Sequence, residues 1–525
     1  MDVPRRPVAW TAVAAAGGGF LLEAVVAAAP RSPLQPVLAP GAEPGGPFAW
    51  IGRSVGLDRL GDAFPIVSVL AVALGMAGFL VLLVAAWRGS VPVPIALWLA
   101  VSFHAALVLL PLVISRDVYS YIAHGQIISL HDANPYVATP ADFPSFLTRS
   151  LVGPKWVDTP SVYGPLFSHL SGLITLVSSR LDVLVDGFRL LAIATSLAAT
   201  VTIGATVHRV RPDRAAFAIA AFGLNPVILF QSAASGHNDL LVALSIAVAA
   251  WFLLSDRTLP AVGVLTAGAL VKATALLPLV LLVVWVVWKR PADDRIRALA
   301  THAGLALAIC LVVAAPFLQL EDPTLGMLEL AGHEGWLAPS RFFGRVLDAL
   351  SGDTLGVVVR AAFAVALVIV VVRLLGATIR AASRDGPRTE LLGAWGWALL
   401  ALALLGPVLL PWYLAWSLPL VWVLPRVPRT VLIGLSAVLA LSQWTAEPFR
   451  YPDAYGISVN VGRYVLTPIV IGLLVWAAVD LRRRLAAPLP LHDEDGEAAE
   501  PRDGGGGERH PDVEETEAGS VERDR

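Results

Sequence analysis

The residues best suited to chemistry follow directly on an apolar run. Residues 92–114 lead into Ser115-Arg116-Asp117-Val118-Tyr119-Ser120-Tyr121-Ile122-Ala123-His124-Gly125, with Asn134-Pro135-Tyr136 soon after. An ionised Asp and Arg at the mouth of a membrane helix are expensive to hold there, so they usually mark a site. Asp117 is the candidate general base for a hydroxyl proton, and Arg116 is placed to bind a phosphate or tune the carboxyl. Tyr119, Tyr121 and His124 add polarity that a plain helix end does not need; the bland alternative is an ion pair that only closes a span. Gly236-His237-Asn238-Asp239 sits between two apolar runs. It serves as a sugar or phosphate subsite, as an ordinary turn with Asp239 capping the next helix, or as both.

Lys272 is one of only three lysines, with Lys155 and Lys289. At the tip of a helical hairpin it either holds a phosphate as a point charge or snorkels to the interface. In Leu410-Pro411-Trp412-Tyr413-Leu414-Ala415-Trp416, Trp412 and Tyr413 can line an acceptor groove, whereas an aromatic belt accounts for Trp416. Arg341, Arg345, Arg450 and Arg463 fall in or beside expected outer loops, where cations have a reason if lipid phosphate is bound there. Glu23 in the first apolar run is a site carboxylate or a solvated one, and the sequence leaves that open.

These residues need a membrane scaffold to hold them. The chain has 525 residues, 56% of them hydrophobic and 15% charged, with a mean hydropathy of +0.71. A soluble protein of this length carries nearer a quarter charged residues. Apolar runs of membrane-spanning length recur, so an all-α polytopic membrane protein of about thirteen to fourteen transmembrane helices is expected. The runs are 8–29, 65–87, 92–114, 187–207, 216–234, 240–255, 259–272, 273–288, 298–318, 356–376, 390–409, 412–425, 430–445 and 463–480. The first is read as a retained span and not a cleaved signal peptide. With the N-terminus in the cytoplasm, the basic clusters at 209–214, 289–297, 380–388, 426–429 and 482–484 all fall inside, as the positive-inside rule asks. The loops 30–64, 115–186, 319–355 and 446–462 then lie outside, 115–186 being the largest. Within it, 166–177 reads as a helix lying in the interface.

Residues 1–485 therefore form the membrane domain and 486–525 a disordered, acidic, cytoplasmic tail. From His492 onward that tail holds thirteen Asp/Glu against four Arg and too few large apolar residues to build a core. The lone cysteine, Cys310, permits no internal disulfide. No Walker, Rossmann or zinc spacing is present, so neither a nucleotide cofactor nor a nucleic-acid partner is expected.

The segment Arg116-Asp117-Val118-Tyr119-Ser120-Tyr121 with Asn134-Pro135-Tyr136, then Tyr163-Gly164-Pro165, Gly236-His237-Asn238-Asp239 and Pro411-Trp412-Tyr413, resembles actinobacterial polyprenol-phosphate-mannose-dependent α-1,6-mannosyltransferases. These belong to the C-type membrane glycosyltransferases, and the resemblance runs over about residues 65–480. It implies a catalytic Asp in the first large extracytoplasmic loop, matched by Asp117. It also implies a polyprenyl-phosphate sugar donor, a glycan or glycolipid acceptor, and a plasma-membrane location. Many C-type enzymes pair two acids at that point. Here Arg precedes the Asp and the next acid is Asp132, so a metal site built on a carboxylate pair lacks its second ligand. No cofactor is expected, and a divalent cation stays open. Phosphate departure needs cations, for which Arg116, Lys272 and Arg463 are candidates.

Two rivals remain at this level. A transferase of arabinose, glucose or galactose fits the same residues. A lipid or small-molecule transporter would place its charges at the midplane between repeated halves, whereas these motifs cluster at one membrane face.

Overall fold

Prolines and arginines decide where the apolar runs stop. The structure is a computed structural model that describes residues 7–145, 147–318, 335, 337–351 and 355–486. The expected tail, apart from its first residue, and most of the expected loop 319–355 lie outside the described residues. Among those described there are helices and turns but no β-strand, as expected for a polytopic all-α membrane protein.

Among the described residues, seven helices are long and apolar enough to cross a bilayer: Trp10–Ala28, Gly61–Trp87, Leu181–Val210, Ala292–Phe317, Leu355–Ser383, Arg388–Leu405 and Pro452–Leu485. An eighth span is counted if the pair Pro212–Gly223 and Pro226–Ala233, bent by 43°, is taken together. The bend has a local cause. Pro226 cannot continue the preceding ladder, and the Asn225 side chain caps the new helix by accepting from the Val227 N–H while donating to Ser436 Oγ. Val93–Leu107, Asp239–Leu254, Thr258–Ala269 and Ala273–Trp288 are apolar but shorter.

Two expected spans change character. The run 92–114 is helical only to Leu107, because Pro111 pushes the residue before it out of the helical region. The chain then turns through Ile114 at φ 62°, whose N–H donates to the Leu34 carbonyl. The run 412–425 is a series of 3₁₀ turns, Pro411–Trp416 and Leu418–Leu420, since Pro411, Pro419 and Pro425 deny it a continuous ladder. Its side chains are nonetheless buried. The segment 166–177 forms the helix Pro165–Thr175, about 16 Å long and too short to span. It packs closely against Asp117–His131, where a Cβ on Gly125 would fall 2.5 Å from the Ser171 carbonyl.

Burial orders the bundle from centre to rim. The apolar window of Arg388–Leu405 is 78% buried, whereas those of Ala292–Phe317 and Leu355–Ser383 are 11% buried and face outward. Four of the five basic clusters meet one another at one face. Arg214 and Arg429 lie 3.5 and 4.0 Å from the Trp87 ring centroid, and Arg209 donates to Ser255. Arg388 pairs with Asp256, and Lys289 pairs with Asp385 at 2.8 Å. Asp239 begins the helix that ends beside Ser255, so it stands about 24 Å from that face.

Candidate active site

Asp117 opens the helix Asp117–His131, and its backbone N–H donates to Ser115 Oγ at 3.1 Å. Burial lifts its carboxyl to about 6, while the Lys272 charge and the Ser115 bond pull it down. About a third of the side chain is open, toward the cavity described below. His237 Nδ1 lies 3.5 Å from Asp117 Oδ2. Burial, and then Lys272, hold this histidine well below its usual range, so it is neutral.

The turn that carries His237 requires Gly236. That residue has φ +74°, and a Cβ there would come within 2.6 Å of Val118 Cγ2. Buried Arg189 fixes the same turn by donating to the Ala234 and Leu107 carbonyls. Its charge is balanced by Asp186 at 2.7 Å.

Lys272 comes into place through Tyr163-Gly164-Pro165. The Gly164 N–H donates to Val271 and that of Leu166 to Leu270. A Cβ on Gly164 would stand 2.1 Å from the Leu270 carbonyl oxygen, so only glycine permits this approach. Lys272 Nζ then donates to Asp239 Oδ1 at 2.7 Å, and Trp416 Nε1 donates to the same oxygen at 2.7 Å. The ammonium lies 4.8 Å from the Tyr413 ring and 5.4 Å from that of Trp416, a cation–π geometry. Tyr413 stacks on Trp416 at 4.2 Å, and His237 stacks on Trp412 at 3.8 Å.

These pieces surround a cavity of about 290 Å³ lined by Asp117, Lys272, Trp412 and Tyr413 among the expected residues. His237 and Asp239 back it through the contacts just given. Asn238 is buried beside them, and neither its side-chain oxygen nor its nitrogen has a hydrogen-bond partner. The remaining expected residues play other parts. Tyr121 is buried under the cavity, edge-on to Tyr163 and Phe167. Tyr119 donates to the Val37 carbonyl. The guanidinium of Arg116 pairs with Glu447 at 2.5 Å and does not line the cavity, because the loop around Glu447 offers it a buried carboxylate. Arg463 lies in the π-helical segment Gly462–Leu466, inside the span Pro452–Leu485, and is likewise absent from the lining.

The sequence reading did not assign Ser120, Lys155 or Trp156 to the site, and it used His124 only as a polar neighbour, yet all four line the cavity. A signal was present: Asp117, Ser120 and His124 are spaced i, i+3 and i+7, one stripe of a helix. Trp416, assigned to an aromatic belt, instead holds Asp239. Lys272 is anchored by Asp239 at the cavity wall, where the alternative was a side chain snorkelling to the interface.

A second cavity, of about 170 Å³, adjoins the first. Val162, Lys272, Val408 and Tyr413 line both; Leu402, Pro407 and Trp416 are among those lining the second alone. Chemically, the arrangement offers a carboxylate poised to take a proton and an anchored cation on one wall of the same chamber. Among the described residues no group of three His, Cys, Asp or Glu side chains gathers as a metal site.

Residues 43–289 match the family described as alpha-(1->6)-mannopyranosyltransferase, N-terminal domain, and residues 340–479 match the MptB C-terminal domain. Alpha-(1->6)-mannopyranosyltransferase A of Mycobacterium tuberculosis is 27% identical over 372 residues, 66% of this chain and 67% of the relative. Alpha-(1->6)-mannopyranosyltransferase B of Corynebacterium glutamicum is 26% identical over 344 residues, 58% of this chain and 54%, about half, of the relative. Asp117, the His237–Asp239 turn and Lys272 fall in the first matched stretch, and Trp412 and Tyr413 in the second. With well over half its length covered by the two family matches, the chain belongs to the alpha-(1->6)-mannopyranosyltransferases, a family of membrane glycosyltransferases.

Proposed function

We propose that the chain transfers mannose from a polyprenyl-phosphate donor to a glycan or glycolipid hydroxyl, with inversion, forming an α-1,6 linkage at the extracytoplasmic face of the plasma membrane. The observation that carries this reading is Lys272, which lines the chamber containing Asp117 and also the adjoining, more apolar cavity. A lipid-phosphate sugar suits such a junction, with isoprenoid against Leu402, Pro407 and Trp416, phosphate at Lys272, and sugar toward Asp117.

The acceptor oxygen attacks the anomeric carbon opposite the phosphate as the bond from that carbon to the phosphate oxygen breaks. The bonding pair leaves with the polyprenyl phosphate, and the acceptor proton passes to Asp117. Negative charge grows on the phosphate during this step, and a fixed ammonium stabilises it most at the transition state. His237, stacked on Trp412, packs beside the base, and Asp239 with Trp416 orients the cation. A β-linked donor displaced once yields an α-linked product. The donor carries its own activation, so no nucleotide takes part outside the cell.

Sidedness is supported by the distribution of charge. The arginine-rich face lies at the far end of the helix Asp239–Leu254 from the cavity, and positive charge is retained in the cytoplasm. Both termini then lie in the cytoplasm as well.

The test incubates membranes containing the chain with radiolabelled polyprenyl-phosphate mannose, arabinose, glucose or galactose, one at a time, followed by linkage analysis. Transfer from the mannose donor alone into an α-1,6 product is expected, and a chelator arm reads any divalent-cation requirement. Transfer from a nucleotide sugar in membranes depleted of polyprenyl phosphate, or preference for another sugar, would overturn the reading.

A further inference from the structure

If the donor phosphate sits at the wall shared by the two cavities, displacement from the opposite face puts the acceptor on the far side of the first cavity. That side is lined by residues absent from the second cavity, among them Asp117, Ser120, His124, Lys155 and Trp156. Ser120 and His124 continue the Asp117 stripe along its helix. Lys155 and Trp156 form the short turn Pro154–Trp156, with Lys155 exposed and Trp156 half-buried. His124 Nε2 lies 3.3 Å from the Thr159 carbonyl, linking the stripe to the segment that follows this turn.

We propose that this stripe and the facing Lys155–Trp156 turn form a subsite for the acceptor, holding the pyranose next to the sugar that receives mannose. The inference rests on the donor reading given above. The chemistry matches a neutral, α-1,6-linked mannoside chain. An indole presents a broad apolar face to the C–H side of a pyranose, and Lys155 Nζ, 5.6 Å from the Trp156 ring centroid, donates to its hydroxyls. Ser120, which also lines the cavity, supplies a hydroxyl from the stripe. Because Lys155 is exposed, a glycan chain leaving the cavity past this turn reaches the outer medium.

The test uses the purified full-length chain in nanodiscs, polyprenyl-phosphate mannose as donor, and either an alkyl mannoside or an alkyl α-1,6-dimannoside as acceptor. The unaltered chain prefers the dimannoside. Trp156→Ala raises the dimannoside KM by about tenfold, an effect of the size expected for one aromatic contact. The dimannoside KM rises by more than the alkyl-mannoside or donor constant, while Trp156→Phe restores much of the preference. Lys155→Gln shifts the dimannoside KM in the same direction and guards against misfolding of the Trp156 variants. Unchanged dimannoside constants in both Trp156→Ala and Lys155→Gln, or a change confined to the donor constant, overturns the subsite. Failure of the unaltered chain to use the polyprenyl-phosphate donor overturns the donor reading instead.

Discussion

Asp117 has to be ionised to accept a proton, and its carboxyl stands at about 6, raised chiefly by burial. The sign of the pH dependence follows. The base form is present above about 6 and is lost as the pH falls through it, so kcat/KM should show an acid limb there. Asp117→Asn should lower turnover by about a hundredfold or more with normal membrane insertion, and near-normal turnover would remove Asp117 from the mechanism. The Lys272 charge lowers that same carboxyl, so Lys272→Met should move the acid limb of the residual activity to higher pH. A simple interface lysine would leave the limb in place. Asp117 and Lys272 were legible in the sequence because charge at the end of an apolar run is unfavourable without a purpose. Trp416 and Arg189 were not, since a Trp at a membrane boundary and an Arg near a span have ordinary explanations until their partners, Asp239 and the Ala234 and Leu107 carbonyls, are seen.

Among the elements, one glycine contact and one ion pair set the geometry. Gly164 lets the segment at 163–165 lie against the Leu270 and Val271 carbonyls, which fixes where Lys272 emerges. Gly164→Ala forces those backbones apart and should destabilise the protein by about 1–3 kcal/mol, the usual cost of overpacking. Turnover should fall with it; unchanged melting and activity would show that the contact is not required. Arg116 and Glu447 tie the mouth of the Asp117 helix to the loop at 446–451, whose Ala446 N–H also donates to the Pro33 carbonyl. If Arg116 is an anchor, Arg116→Gln and Glu447→Gln should each reduce turnover, and the double variant should be no worse than the more impaired single one. If Arg116 instead bound donor phosphate, Glu447→Gln would leave transfer intact. The element boundaries were only partly legible. Apolarity alone carried the run 92–114 through Pro111 and made a span of 412–425, because a hydropathy window does not register a missing N–H.

At the scale of the whole molecule, the all-α membrane class was plain from composition, and the grouping of four basic clusters at one face followed from their order along the chain. The depth of each helix in the bundle was not, since Arg388–Leu405 at the centre and Leu355–Ser383 at the rim are both predominantly apolar and packing is what separates them. Those opposite faces lead to a test of sidedness. Asp142 is exposed on the turn Pro140–Asp142 within the loop that bears Lys155 and Trp156, and Asp293 is exposed on the turn Ala292–Asp294 at the basic face. In a Cys310→Ser background, which removes the chain's one native thiol, Asp142→Cys and Asp293→Cys each leave a single reporter. A membrane-impermeant maleimide applied to intact cells should label Asp142→Cys at once and reach Asp293→Cys only after lysis. Arginine retention favours that orientation because translocating a basic cluster is opposed at every one of the five clusters together. The reverse labelling pattern would place the cavity in the cytoplasm. A nucleotide-sugar donor would then be within reach of Asp117, and the case for a lipid-phosphate donor would lose its main physical support.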